Sequence, residues 1–185
     1  MTIYFIRHGM TAGNLEKRYI GSTDLPLCQE GKALLSERLY PEADTLYCSP
    51  MQRCLETAAM IYPDKKPIVI PDFRECDFGR YEGKNYAELT EDAPYLRWVE
   101  SGGVLPFPDG EDTDAFRARC TAAFAGVVKT HQAEDTLALV VHGGTIMSIL
   151  ESYEPSHSYF AWQCKNGHGY CTSYENGILR VTGEI

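Results

Sequence analysis

Two stretches decide the fold: Thr2-Ile3-Tyr4-Phe5-Ile6-Arg7-His8-Gly9, and Leu139-Val140-Val141-His142-Gly143-Gly144-Thr145. Each is a short, β-rich apolar run that ends in histidine-glycine. Continuous rather than alternating hydrophobicity predicts a strand buried on both faces, the pattern of parallel sheets covered by helices. Runs of the same kind occupy residues 2–6, 45–48, 67–70 and 136–141. Between them lie helical patterns. After Asp112 and Thr113, the residues Phe116, Cys120, Ala123, Phe124, Val127 and Val128 fall at spacings of three and four, and Ile146, Ile149, Leu150 and Tyr153 repeat that spacing. Ser49-Pro50 predicts a cap and first turn for a helix over 51–62. Strands alternating with helices predict an α/β fold, a three-layer sandwich with a mostly parallel central sheet and helices on both faces.

Turn signals at Phe78-Gly79, Glu82-Gly83, Ser101-Gly102-Gly103 and Pro106 to Gly110 interrupt this alternation around an expected helix over 85–100. The chain is expected to be one domain, 1–185, with a small insertion at about 72–112 covering the ligand edge of the sheet. Around Glu175-Asn176-Gly177, the runs 170–174 and 178–181 predict a closing β-hairpin.

Composition narrows the function classes. With 44% hydrophobic and 23% charged residues the chain reads as a soluble globular protein, and no apolar stretch approaches the roughly 20 residues needed to span a bilayer. Arg7 and His8 interrupt the apolar run near the N-terminus, so no signal peptide is expected and the location is expected to be cytoplasmic. A net charge of −9 argues against nucleic acid or an anionic membrane as partner. The seven cysteines are an odd count without C-x-x-C spacing, as buried free thiols would be.

Ligands of open α/β sheets bind beyond the carboxyl ends of the strands, where both His8 and His142 are expected. Gly143, Gly144 and Thr145 open a helix whose free N–H groups suit an anion. Arg53, in the first turn of the helix after Cys48, opposes the helix dipole at a typical cost of about 0.3–1 kcal/mol. A cation so placed suggests function. Arg7 and Arg53 are candidates to hold a phosphoryl group and to keep His8 unprotonated by charge repulsion.

Together these segments resemble the histidine phosphatase superfamily, also called the phosphoglycerate mutase-like family. The resemblance rests on Arg7-His8-Gly9-Met10-Thr11 with Asn14, Gly21-Ser22-Thr23-Asp24-Leu25-Pro26-Leu27, Ser49-Pro50-Met51-Gln52-Arg53 with Thr57-Ala58, the run from Glu75 to Gly83, and Val141-His142-Gly143-Gly144. It spans nearly the whole chain and implies a phosphoglycerate mutase-like fold. It further implies His8 as nucleophile, Arg7, Arg53 and His142 as the phosphate pocket, and Glu75 as proton donor, with Asn14, Gly21, Ser22 and Gly143 lining the substrate site. Met10 stands where many members carry a glutamate or glutamine. A short segment between Glu75 and His142 favours the phosphatase branch over the mutases, and the pattern from Arg74 to Gly83 followed by Pro108-Asp109-Gly110-Glu111 resembles α-ribazole phosphatases and broad-specificity phosphatases.

The expected activity is therefore a phosphoric monoester hydrolase acting on a small phosphorylated metabolite, with neither metal nor cofactor, as a monomer or a homodimer. A cofactor-dependent phosphoglycerate mutase is the enzyme alternative, and a catalytically silent phosphate-binding module the alternative of another class. Other readings were weighed at particular residues. Glu82 competes with Glu75 for the acid. Cys48 and Arg53 have four residues between them, where a cysteine phosphatase loop needs five. Cys164, His168 and Cys171 would give only three zinc ligands, Glu111 is a turn residue or a substrate contact, and Tyr4, Tyr81, Tyr86, Tyr95, Trp98 and Phe107 either line the mouth or pack the insertion.

Overall fold

The computed structural model describes residues 1–103, 105–154 and 156–185. Six strands form one sheet: β1 (Thr2–Arg7), β2 (Thr45–Cys48), β3 (Ile68–Val69), β4 (Thr136–Val141), β5 (Gly169–Glu175) and β6 (Ile178–Glu184). Their spatial order is β3-β2-β4-β1-β5-β6, parallel from β3 through β1 and antiparallel beyond. β5 and β6 form a hairpin at Asn176-Gly177, where both residues have positive φ, the geometry that an Asn-Gly pair favours.

The pleat sorts the core into two layers. Ile3, Phe5, Leu137, Leu139 and Val141 face helices α5 (Thr113–Val128) and α6 (Gly143–Tyr153), meeting Phe116, Cys120, Phe124, Ile146, Ile149 and Leu150. Ile6, Leu46, Cys48, Ala138 and Val140 face Cys54 and Ala58 of α3 (Gln52–Ile61), with α2 (Gln29–Ser36) packed outside it. Burying a large side chain of this kind stabilises by about 1.5–3 kcal/mol, and both sheet faces do so. The α/β sandwich expected from the run pattern is the observed architecture.

Register does the work that matters for the site. Ile3 pairs with Leu137 and Arg7 with Val141, so β1 and β4 end level, and the His8 N–H donates to the Val141 carbonyl at 3.0 Å. The residue that follows each strand, His8 and His142, is thereby brought to the same edge.

Three local expectations need correction. The run 67–70 yields only the two-residue edge strand β3, exposed rather than buried, because no strand pairs with its outer side. The expected helix over 85–100 is split into a 3-10 turn at Tyr86–Leu89 and helix α4 (Ala93–Glu100); Asp92 caps the second piece and Pro94, lacking an N–H, fits only in a first turn. Ser49 does not cap α3. Met51 occupies the N-cap position without a side-chain cap, while the Ser49 hydroxyl contacts a histidine instead. The four-residue helix α1 (Ala12–Leu15), closed by a reciprocal Thr11–Asn14 capping box, carries no apolar periodicity that would announce it.

Candidate active site

The carboxyl end of β1, the first turn of α6 after β4, and the segment after a 3-10 turn at Pro71–Phe73 converge on a cavity of about 510 Å3. Arg7, His8, Asn14, Glu75, Gly143 and Gly144 line its polar end. Tyr19, Phe78, Trp98, Phe107, Phe116 and Tyr159 supply most of its aromatic wall.

His8 is buried, and its Nδ1 lies 2.7 Å from the Gly9 carbonyl oxygen. A carbonyl only accepts, so Nδ1 carries the proton and Nε2 keeps a free lone pair. Burial first, then the positive charges of Arg53 and Arg7, push the His8 pKa well below its ordinary value, which leaves the ring neutral near pH 7. Asn166 steadies the same backbone: its Nδ2 donates to the His8 carbonyl at 3.1 Å and to Asn14 Oδ1 at 3.2 Å. Arg7 donates from Nη1 to the Cys164 carbonyl at 2.6 Å, while its buried Nε has no partner among the described residues.

His142 and Arg53 form a floor behind His8 instead of lining the cavity. The His142 ring stands edge-on to His8 at 5.1 Å between centroids. Arg53 Nε, a donor only, reaches His142 Nδ1 at 3.3 Å, so the proton of His142 sits on Nε2 and is donated to Ser49 Oγ at 2.7 Å. Burial, and next the Arg53 charge, hold the His142 pKa well below normal. Arg53 is fully buried, and its Nη atoms donate to the carbonyls of Thr23 and Gly21 at 2.9 and 2.8 Å. A cation in a first helical turn is thus satisfied by a loop that approaches from far along the chain.

The two candidate carboxylates have different surroundings. Glu75 accepts from Cys76 N and from Gly144 N, both at 3.0 Å, which holds it against the N-terminus of α6 at the cavity wall. Glu82 accepts from the backbone of Gly21, Ser22, Thr23 and Phe78 and from the Thr23 hydroxyl, and so is consumed in holding the 21–23 loop. Gly21 and Ser22 accordingly face Glu82, and they do not line the cavity. Gly21 touches the site indirectly, since a Cβ there would lie 1.8 Å from the Cys76 carbonyl beside Glu75.

The remaining candidate groups have surroundings of their own. Cys48 is fully buried, with burial pushing its pKa up to about 12, which is no setting for a thiolate nucleophile. Among the described residues no three His, Cys, Asp or Glu side chains cluster as metal ligands, and His168 Nε2 lies 3.1 Å from Arg38 Nη1. Glu111 is not in the cavity lining; it forms a bidentate pair with Arg119. Of the weighed aromatics, Trp98 and Phe107 line the cavity, whereas Tyr81 and Tyr95 are buried in the core between them and the sheet cover. Asn166, Arg117 and Tyr159 line the cavity without having been singled out in the sequence. Asn166 sits in a stretch that reads simply as a turn before β5, and Arg117 on a helix whose apolar stripe dominates its pattern.

Residues 3–182 match the family described as the histidine phosphatase superfamily (branch 1). The chain is similar to a broad-specificity phosphatase of Saccharomyces cerevisiae, 30% identical over 80% of this chain and 68% of that protein. It is also similar to an adenosylcobalamin/alpha-ribazole phosphatase of Salmonella typhimurium, 28% identical over 81% of this chain and 77% of that protein. Among solved structures, a phosphoglycerate mutase from Thermus thermophilus superposes with a TM-score of 0.78 at 26% identity, covering 100% of this chain and 98% of that one.

Proposed function

Because the chain belongs to the histidine phosphatase superfamily (branch 1) and is a phosphatase, we propose that it hydrolyses a small phosphate monoester through a phosphohistidine formed on His8. The observation that carries this reading is the pairing, at the polar end of one cavity, of a buried, neutral His8, its Nε2 lone pair free, with the guanidinium of Arg7. In the proposed first step His8 Nε2 attacks phosphorus in line, the P–O bond to the leaving group breaks, and Glu75 gives its proton to the departing oxygen. In the second, Glu75 as carboxylate takes a proton from water, whose oxygen attacks the phosphohistidine, releasing phosphate and free His8. Arg7, Asn14 and the first-turn N–H of Gly143 would bind the phosphoryl oxygens, while Arg53 and His142 act from the buried floor, where a charge is weakly screened. This arrangement calls for no metal.

As the substrate we propose α-ribazole phosphate or a similar metabolite bearing a flat ring. Support comes from the aromatic wall of the cavity. The segment 72–112, which contributes Glu75, Phe78, Trp98 and Phe107 to the wall, is proposed as the cover of a site within a single cytoplasmic domain.

The test is a screen of monoesters on chelated enzyme, with His8→Ala as control. Turnover should survive chelation and disappear in His8→Ala, and acid-labile phosphate should be found on His8 by mass spectrometry. Phosphate released without any bisphosphorylated activator separates this reading from a mutase, and turnover as such separates it from a silent binding module. Full activity in His8→Ala would end the proposal.

A further inference from the structure

Outside the cavity, the most fully satisfied polar group near the site is the guanidinium of Arg119, on the α5 turn after Phe116. All five of its N–H donors have acceptors. Nε and one Nη2 hydrogen go to the two oxygens of Glu111 at 2.7 and 2.8 Å. The other three go to main-chain carbonyls of the segment that carries the acid: Nη1 to those of Asp72 and Arg74 at 2.7 and 2.8 Å, and Nη2 to that of Glu75 itself at 3.0 Å. Glu111 completes the frame by accepting from Asp77 N at 3.4 Å, while its own N–H donates to the Asp77 carbonyl at 2.9 Å. Side-chain exposure of the pair is 13% and 17%, so these bonds form in a poorly solvated place where a missing partner is costly.

The segment so gripped has little else to define it. Residues 74–78 belong to no helix or strand, and the 3-10 turn before them spans only Pro71–Phe73. The Glu75 carboxylate must nevertheless meet Gly144 N at 3.0 Å, across from His8. A planar fork that takes three carbonyls at once fixes the height and tilt of that backbone in a way a point charge cannot.

We propose that Arg119, oriented by Glu111, is a positioning residue for Glu75, and that it acts on catalysis through the proton transfers of Glu75 alone. The inference rests on the reading of Glu75 as general acid. It predicts a defect in phosphohistidine formation graded by the basicity of the leaving group, because in that step a displaced acid matters only when the departing oxygen needs its proton.

The experiment compares an alkyl phosphate with 4-nitrophenyl phosphate for Arg119→Lys, Glu111→Gln, Glu75→Gln and the double variant Arg119→Lys/Glu75→Gln, each checked for folding by circular dichroism. Arg119→Lys should lower kcat/KM, which reports the steps up to phosphohistidine formation, by about 10–100-fold on the alkyl ester and should leave kcat/KM for the nitrophenyl ester within about threefold; all losses below are in kcat/KM. Glu111→Gln should show the same selectivity in weaker form. Adding Arg119→Lys to Glu75→Gln should cost nothing further on the alkyl ester, since both act on one proton transfer. Should Arg119→Lys not fold, Glu111→Gln decides on the same criteria. Equal losses on both substrates, or additive losses in the double variant, overturn the proposal while leaving Glu75 as acid. If Glu75→Gln itself shows no dependence on the leaving group, the general-acid reading fails and this proposal falls with it.

Discussion

His8 can attack phosphorus only while Nε2 is unprotonated. Burial first, and then Arg53 and Arg7, disfavour the imidazolium and outweigh the Gly9 carbonyl, which raises the pKa but places the remaining proton on Nδ1. Because the pKa lies well below the ordinary histidine value of about 6.5, kcat/KM should stay level as pH falls through that value, with its acid limb only well beneath it. An NMR titration of the His8 ring checks the cause. Arg7→Gln should raise the pKa without bringing it to the ordinary value, because burial, the largest contribution, remains. A wild-type His8 that titrates near pH 6.5 would contradict the account.

The first turn of α6 decides where the carboxylate can stand. Gly144 presents its N–H to Glu75 Oε2, and a Cβ on Gly144 would lie 2.3 Å from Glu75 Oε1 and 2.9 Å from Phe116 Cζ. The carboxylate is the end of a flexible chain and can swing away, so Gly144→Ala should disturb the site more than the fold. Alanine also favours a helix by about 0.5–1 kcal/mol over glycine, which offsets part of the crowding. We expect turnover of an alkyl monoester to fall by about 10–100-fold, with the melting temperature within a few degrees of wild type. Steady-state kinetics beside a thermal melt measure both, and unchanged turnover would mean that Glu75 is not needed at this position. At the opposite end of the chain's own pattern, α3 begins with a cation because the 21–23 loop brings the carbonyls of Gly21 and Thr23 to Arg53.

The whole molecule bears the cost of keeping two histidines neutral in its interior. His8 and His142 both have depressed pKa values in the folded state, so the unfolded chain binds protons that the folded chain refuses. The stability attached to this is complete above about pH 6.5 and is lost as pH falls below it towards the folded-state values. Denaturant titrations across that range should show the midpoint falling with pH, and the fall should be shallower in His8→Asn, which has no group to protonate there. An identical pH dependence in wild type and His8→Asn would exclude His8 as a source.

By itself the sequence determined the architecture and the chemical type of the site. Apolar runs ending in Arg7-His8-Gly9 and His142-Gly143-Gly144 specify parallel strands whose next residues share an edge, because period and burial are local properties of the chain. Those runs, and the helical stripe from Phe116 to Val128, were legible for that reason. Contacts between distant segments were not. Glu75 and Glu82 differ in the backbone N–H groups each meets, Glu111 is paired with the guanidinium of Arg119, and Ser49 bonds His142, ninety-three positions away. Gly21 and Ser22 turned to Glu82 for the same reason. Hydrogen bonds between loops depend on where folding brings their donors, and no periodicity in the sequence records that.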